Sequence, residues 1–85
     1  MYEIVFTAPA AKSLQKIHRN TAMLIREKLE QLATDPYASH PNVAKLQGRS
    51  GFRLRVSDRR VIYEIQKDNV VIIVMKITPR GEVHR

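Results

Sequence analysis

Arginine and histidine residues in the second half of the chain are the side chains whose types and spacing could do chemistry. Arg53, Arg55 and Arg60 alternate with apolar residues, and Arg80 and His84 follow near the end. An arginine offers a planar fork of donors that suits phosphate oxygens, and it stays charged at any physiological pH. A histidine gives or takes a proton near neutrality. These residue types predict a site that binds a phosphate and moves a proton beside it.

The reaction that best suits such a set is attack of an RNA 2′-hydroxyl on the neighbouring phosphate. Fixed cations stabilise the negative charge that gathers in its transition state. DNA lacks that hydroxyl and could not react in this way. The sequence shows no glycine-rich phosphate loop, no HExxH motif and no paired acidic metal site. We therefore predict neither a bound metal nor a cofactor.

A simpler interpretation treats the strand arginines as a solvated polar face and His84 as an idle residue near the terminus. However, three neighbouring guanidiniums repel one another, and the nearby acids are Asp58 in a predicted turn and Glu64 farther along. Internal ion pairs explain such a group poorly, whereas a bound anion would relieve the repulsion. The other histidines, His18 and His40, are predicted to be surface residues.

The charge of the chain is uneven as well as high. The net charge is +7, and residues 48–85 contribute +5 of it, with nine Lys/Arg against four Asp/Glu. Such a balance favours polyanionic partners such as nucleic acid, although excess charge can also serve solubility alone. A partner-facing side is therefore expected in the second half.

Length and composition limit the broad class of protein. With 85 residues the chain has room for one hydrophobic core, so we predict a single domain over residues 1–85. The absence of cysteine excludes disulfides and thiolate metal sites and favours an intracellular location. No export signal is recognised at the start, and the longest apolar run, Val70 to Met75, is far shorter than the roughly 20 residues that cross a bilayer. We expect a cytoplasmic protein without membrane contact.

Hydrophobic periods predict the elements that must position the arginines. Residues 2–6 alternate as a strand. Thr7 is a candidate N-cap for a helix to about Arg19, and Asn20 for a second helix that Asp35-Pro36 would stop. Because the turn between the helices is very short, they should form an antiparallel hairpin on a common sheet.

The second half is predicted to contain a connection and three strands. Residues 36–51 indicate a connecting loop. The three strands, separated by turns at 57–58 and 67–69, are predicted over 52–56, 60–66 and 70–77, with a tail from Thr78 that leaves the sheet. The expected fold is α+β, strand-helix-helix-strand-strand-strand, with a small, mainly antiparallel sheet and a two-helix hairpin on one face. Arg53, Arg55 and Arg60 should emerge from the opposite face.

The chain resembles the RelE/ParE superfamily of bacterial toxins along almost its whole length. The resemblance rests on the N-terminal strand, the helical hairpin, Lys45-Leu46-Gln47-Gly48, the strand pair 51–56 and 59–65, and the closing Pro79-Arg80-Gly81-Glu82-Val83-His84-Arg85. It implies a compact sheet with two helices on one face. RelE-like members cleave mRNA in the ribosomal A site, whereas ParE-like members inhibit DNA gyrase.

The RelE branch is the better match, because its basic pair falls on Arg53 and Arg55, its following arginine on Arg60 and its post-sheet arginine on Arg80. Its terminal Glu-Val-Tyr type of ending corresponds to a Glu-Val-His sequence ending at His84. The pattern has lysines where this chain has the arginine pair, and a guanidinium is effectively never deprotonated. Proton transfer is therefore assigned to His84, and the second proton-transfer group stays open.

The resemblance thus implies a toxin of a type II toxin–antitoxin system that inhibits translation as a ribosome-dependent endoribonuclease. The catalytic residues would be Arg60, Arg80 and His84, and the RNA-binding residues Arg49, Arg53, Arg55 and Arg85. Its partners would be mRNA, the ribosome and a cognate antitoxin, through which the complex binds operator DNA. Two alternatives stay open: a non-enzymatic inhibitor of DNA gyrase, and a non-catalytic RNA-binding module, which the scarcity of exposed aromatic residues disfavours.

Overall fold

Two helices and five strands make up the fold in a computed structural model that describes residues 1–79. In chain order the elements are β1 (Glu3–Phe6), α1 (Ala8–Lys16), α2 (Arg19–Thr34), β2 (Val43–Lys45), β3 (Phe52–Val56), β4 (Arg59–Gln66) and β5 (Val71–Pro79). The strands form one sheet in the order β1-β5-β4-β3-β2, with β1 parallel to β5 and the other neighbours antiparallel. The predicted α+β fold is confirmed.

Two helices joined by a very short turn form where they were predicted, but their bounds and caps differ in detail. Thr7 is the N-cap of α1, and α1 ends at Lys16, short of the predicted Arg19. The cap of α2 is His18 and not Asn20: the His18 Nδ1 atom accepts a hydrogen bond from the Asn20 backbone N–H at 3.1 Å. A ring nitrogen here fills the role that a side-chain oxygen usually has at an N-cap.

The connection predicted over residues 36–51 contains a fifth strand, β2. Its Val43 pairs with Leu54 of β3 and packs against the core. Three residues are too few to show an alternating pattern. The extended form of this segment depends on its pairing with β3. The last strand also differs, since β5 begins at Val71 and continues through Thr78, which was predicted to leave the sheet, to Pro79.

Both helices lie on one face of the sheet, here called the covered face; the other is the open face. The core between helices and sheet consists of buried apolar side chains and Tyr63, whose ring stacks on Phe52 at a centroid distance of 5.4 Å. Within residues 1–79, no helix combines the length and the apolar character needed to cross a membrane.

Candidate functional site

The open face carries the predicted arginines in two rows across the strands. Alternation sends Leu54 of β3 to the core and its neighbours to the open face. In one row, strand pairing aligns Arg55, Arg60 and Thr78. In the next row it aligns Ala44, Arg53, Ile62 and Lys76. Adjacent strands lie about 4.8 Å apart, so Arg53 and Lys76 flank Ile62 closely on the neighbouring strands. Arg60 lies two residues before Ile62 on β4.

Lys76 reaches the open face because of a β-bulge in β5. Tyr63 pairs with Val74 and Ile62 pairs with Lys76, which leaves Met75 as the extra residue. Unbroken alternation from Val74 would turn Lys76 toward the core. The Thr7 hydroxyl stabilises the bulge by donating a hydrogen bond to the Met75 carbonyl at 2.6 Å.

The arginines and Lys76 surround one depression of about 220 Å³ on the open face, which we call the cationic pocket. Its lining residues are Leu46, Arg49, Arg53, Arg60, Ile62, Lys76 and Thr78. Among the described residues no Asp or Glu lines it. Four cationic side chains around an apolar floor favour an anion, because low-polarity surroundings strengthen charge interactions.

Polar atoms in the cationic pocket retain capacity to bind a ligand. The Arg53 Nε atom and the Thr78 Oγ1 atom are buried and have no hydrogen-bond partner among residues 1–79. A buried polar group without a partner is unfavourable, so a ligand that pairs with it gains affinity. A phosphate supplies acceptors for both atoms.

The two acids that could have neutralised the arginines have other partners. Asp58 lies 3.6 Å from the Nε atom of Arg59, which alternation places on the other face from Arg60. Glu64 accepts a hydrogen bond from the Ser50 hydroxyl at 3.4 Å. The cationic character of the pocket therefore persists.

A short loop between β2 and β3 brings Arg49 to the pocket. The Leu46 backbone N–H donates to the Gly51 carbonyl at 3.0 Å and closes the loop. Gly51 has a φ of +112°, and a Cβ atom there would lie 3.1 Å from the Tyr63 carbonyl oxygen. Glycine is therefore needed at this position, where the loop approaches β4 closely.

The structure gathers part of the predicted set. Arg49, Arg53 and Arg60 line the cationic pocket, whereas Arg55 lines an adjacent depression with Asn42, Val43 and Ala44. We call this depression the lateral groove; Arg53 borders both. Three further predicted residues lie outside the described part of the chain, namely Arg80, His84 and Arg85.

Sequence reasoning did not assign Lys76 to the site. In β5 it falls in phase with Ile72 and Val74, which are fully buried. A lysine is almost never fully buried without a partner. A lysine at a position that alternation assigns to the core therefore indicates a bulge that turns its side chain to solvent.

Comparison with known proteins agrees with this fold. Residues 4–84 match the family model described as the ParE toxin of the type II toxin-antitoxin system, parDE. None of the curated proteins compared with the chain matches it. The archaeal RelE–RelB complex from Pyrococcus horikoshii contains a chain that is 28% identical, with a TM-score of 0.83, over 96% of this chain and 98% of that one.

Two further solved structures show the same fold. The intact E. coli RelBE toxin–antitoxin complex matches at 24% identity and a TM-score of 0.76, over 100% of both chains. The YoeB/ParE toxin from Agrobacterium tumefaciens matches at 14% identity and a TM-score of 0.78, over 91% of this chain and 96% of that one. The RelE-like resemblance is thereby confirmed. Since the family model spans residues 4–84, the chain belongs to the RelE/ParE superfamily and is a toxin of a type II toxin–antitoxin system.

Proposed function

We propose that this toxin is a ribosome-dependent endoribonuclease that cleaves mRNA in the A site, in the cytoplasm. The observation that carries the proposal is the cationic pocket, where three arginines and Lys76 surround one small volume with an apolar floor. Cleavage would proceed without a metal, by attack of the RNA 2′-hydroxyl on the adjacent phosphate. Fixed cations stabilise the charge on the five-coordinate phosphorus as it forms.

Each arginine has a role that its position supports. Arg53 borders both the cationic pocket and the lateral groove, and Arg55 lines the groove, so they would hold successive phosphates of the strand. Arg49 would contact the same strand from the loop. Arg60 would stabilise the reacting phosphate because it lines the cationic pocket, where it pairs with Thr78 of β5.

The closing segment of the chain would complete the site. By resemblance to RelE, Arg80 would be a second charge-stabilising donor, His84 the proton-transfer group and Arg85 an RNA contact. The described part of the site is compatible with these roles, since β5 runs through Thr78 to Pro79 and leads directly into this segment.

The same comparisons support a cognate antitoxin as partner. The structures from P. horikoshii and E. coli are complexes of RelE with RelB. An antitoxin with acidic segments would neutralise the cationic pocket, and the complex would bind operator DNA through the antitoxin.

The proposal is tested with purified protein on ribosomes programmed with a short synthetic mRNA. We expect cleavage in the A site that leaves a 2′,3′-cyclic phosphate on one fragment and a 5′-hydroxyl on the other. A substrate with a 2′-deoxy sugar at the scissile position should resist cleavage. Intact mRNA with active ribosomes and parental toxin would contradict the proposal.

Arg60→Ala is the decisive variant. Removing one charge-stabilising donor should slow cleavage about 100- to 1000-fold. The matched control is Arg59→Ala, which makes the same change one residue earlier, where the side chain pairs with Asp58. The control should cleave at the parental rate, and both variants should keep the parental circular dichroism spectrum.

A second function is inhibition of DNA gyrase, which the ParE description of the family model favours. Its products would be gyrase complexes trapped on DNA, with intact mRNA. Brief expression of the toxin, with and without its antitoxin, followed by mapping of mRNA 5′ ends and of gyrase-linked DNA, separates the two functions.

A further inference from the structure

We propose that Lys76 is a further catalytic residue, the proton donor to the 5′-oxygen that leaves when RNA is cleaved. The inference rests on the proposed endoribonuclease function. Within residues 1–79, Lys76 is the one side chain lining the cationic pocket with a cationic proton that it can readily release, since the other cations are arginines.

The fold holds the Lys76 side chain on the open face. The bulge at Met75 turns its side chain to the open face, and the Thr7 hydroxyl stabilises that bulge. In the same row, Arg53 lies on the far side of Ile62. Because strands are about 4.8 Å apart, the backbones at Arg53 and Lys76 are separated by about 10 Å. A phosphate on the Ile62 floor would have a guanidinium on one side and an ammonium on the other.

The chemistry needs a group of this kind on the leaving side. A departing 5′-alkoxide is a strong base, and a general acid that protonates it contributes about 100- to 10,000-fold. Arginine cannot serve, because a guanidinium is effectively never deprotonated. Lysine can, and because the Lys76 side chain is exposed, solvent can return its proton after each cleavage.

The step balances in atoms and charge. The 2′-oxygen forms a bond to phosphorus, and its proton passes to a base, which would be the proton-transfer group His84. The bond between phosphorus and the 5′-oxygen breaks, and its electron pair stays on that oxygen. The oxygen takes a proton from the Lys76 ammonium. The products are a 2′,3′-cyclic phosphate, a 5′-hydroxyl, the neutral Lys76 amine and the protonated base.

The test compares two substrates and two substitutions at Lys76 in single-turnover cleavage of ribosome-bound RNA. Lys76→Arg keeps the positive charge but has no readily released proton, and Lys76→Met removes both. One substrate is ordinary RNA; in the other, a sulfur atom replaces the 5′-oxygen of the scissile bond. A thiolate leaves without protonation. Lys12→Met, an exposed residue of α1, is the matched control for the loss of a lysine.

We expect both Lys76 variants to cleave ordinary RNA about 100- to 10,000-fold more slowly than the parent, and to cleave the sulfur substrate within a few-fold of it. Lys12→Met should match the parent on both. Parental cleavage of ordinary RNA by Lys76→Arg would overturn the proposal. So would a loss that persists on the sulfur substrate, which would assign Lys76 to charge stabilisation or binding. If the parent cleaves neither substrate, the endoribonuclease function itself fails, a result distinct from these.

Discussion

The covered and open faces of the sheet are built from alternate residues of the same strands, yet a buried hydroxyl has different surroundings on each. Tyr63 on the covered face and Thr78 on the open face each have a buried hydroxyl without a hydrogen-bond partner. The Tyr63 side chain belongs to the apolar core between the helices and the sheet. The Thr78 hydroxyl lines the cationic pocket. An unpaired buried hydroxyl therefore costs stability on both faces, but on the open face it can also bind a ligand.

Charge separates the faces in the same way. The described core contains no buried charged residue, whereas four cationic side chains line the cationic pocket of the open face. Substitutions on the covered face should change mainly the free energy of unfolding. Substitutions on the open face should change mainly RNA cleavage.

Among the further substitutions that compare the two faces, the largest expected effect is at Arg53, on the open face. Because Arg53 borders both the cationic pocket and the lateral groove, Arg53→Ala should slow cleavage about 100- to 1000-fold. Arg55→Ala removes a contact in the groove alone, so it should weaken RNA binding with a smaller effect on rate. Single-turnover rates and the salt dependence of binding measure the two effects, and Arg55→Ala should lower the salt slope by about 1. Equal losses of rate at both positions would show that the pocket is not distinct from the groove.

The next effect is on the covered face, where burial raises the pKa of Tyr63 to about 12 from 10.0. In the unfolded chain the Tyr63 hydroxyl ionises near pH 10, whereas in the folded protein it stays protonated up to about pH 12. The stability that this difference contributes is fully present below pH 10. It is lost as the pH rises through 12, where the free energy of unfolding has fallen by about 3 kcal/mol in total. Tyr63→Phe should remove this loss, and near neutral pH it should be as stable as the parent or about 1 kcal/mol more stable.

Urea unfolding at pH 7 and pH 11 measures the difference for Tyr63→Phe. The control is Tyr37→Phe, because Tyr37 is 58% exposed. It should show no difference between the two pH values relative to the parent. A Tyr63→Phe variant that loses stability at both pH values would show that its hydroxyl has a stabilising partner.

A third prediction concerns Thr7, which joins the start of α1 to the bulge in β5. Its hydroxyl accepts from the Ala10 N–H to cap α1 and donates to the Met75 carbonyl at the bulge. Thr7→Val keeps the shape and removes both bonds, so it should lower the free energy of unfolding by about 1–2 kcal/mol. Thr7→Ser keeps the hydroxyl and should retain most of that stability. If Thr7→Val unfolds at the parental urea concentration, the bulge does not depend on this bond.

Alternation accounts for how much of the site could be predicted from the sequence. Arg53 and Arg55 flank Leu54, and Arg60 precedes the buried Val61, so their common face follows from a period of two. The helices could be predicted because their apolar positions recur over several turns. Both predictions depend on the spacing of nearby apolar residues, which can be read directly from the sequence.

Features that depend on pairing between distant segments could not be predicted. The strand β2 has three residues and owes its form to β3. The bulge at Met75 accepts a hydrogen bond from Thr7, 68 positions earlier in the chain. The place of Lys76 in the site therefore could not be read from a local pattern. Its position among core residues of β5 indicated only that the alternation is interrupted.

The smallest expected effect returns to the hydroxyl of Thr78. Thr78→Val removes the buried hydroxyl and keeps the branched shape, so the free energy of unfolding should stay within about 0.5 kcal/mol of the parent or rise. Cleavage should slow by about 3- to 10-fold, the value of one hydrogen bond to the ligand. The control is Thr34→Val, since the Thr34 hydroxyl donates to the Glu30 carbonyl within α2 and lies far from the pocket. A Thr78→Val variant that is clearly less stable yet cleaves RNA at the parental rate would make its hydroxyl structural, and the two faces would then differ in charge alone.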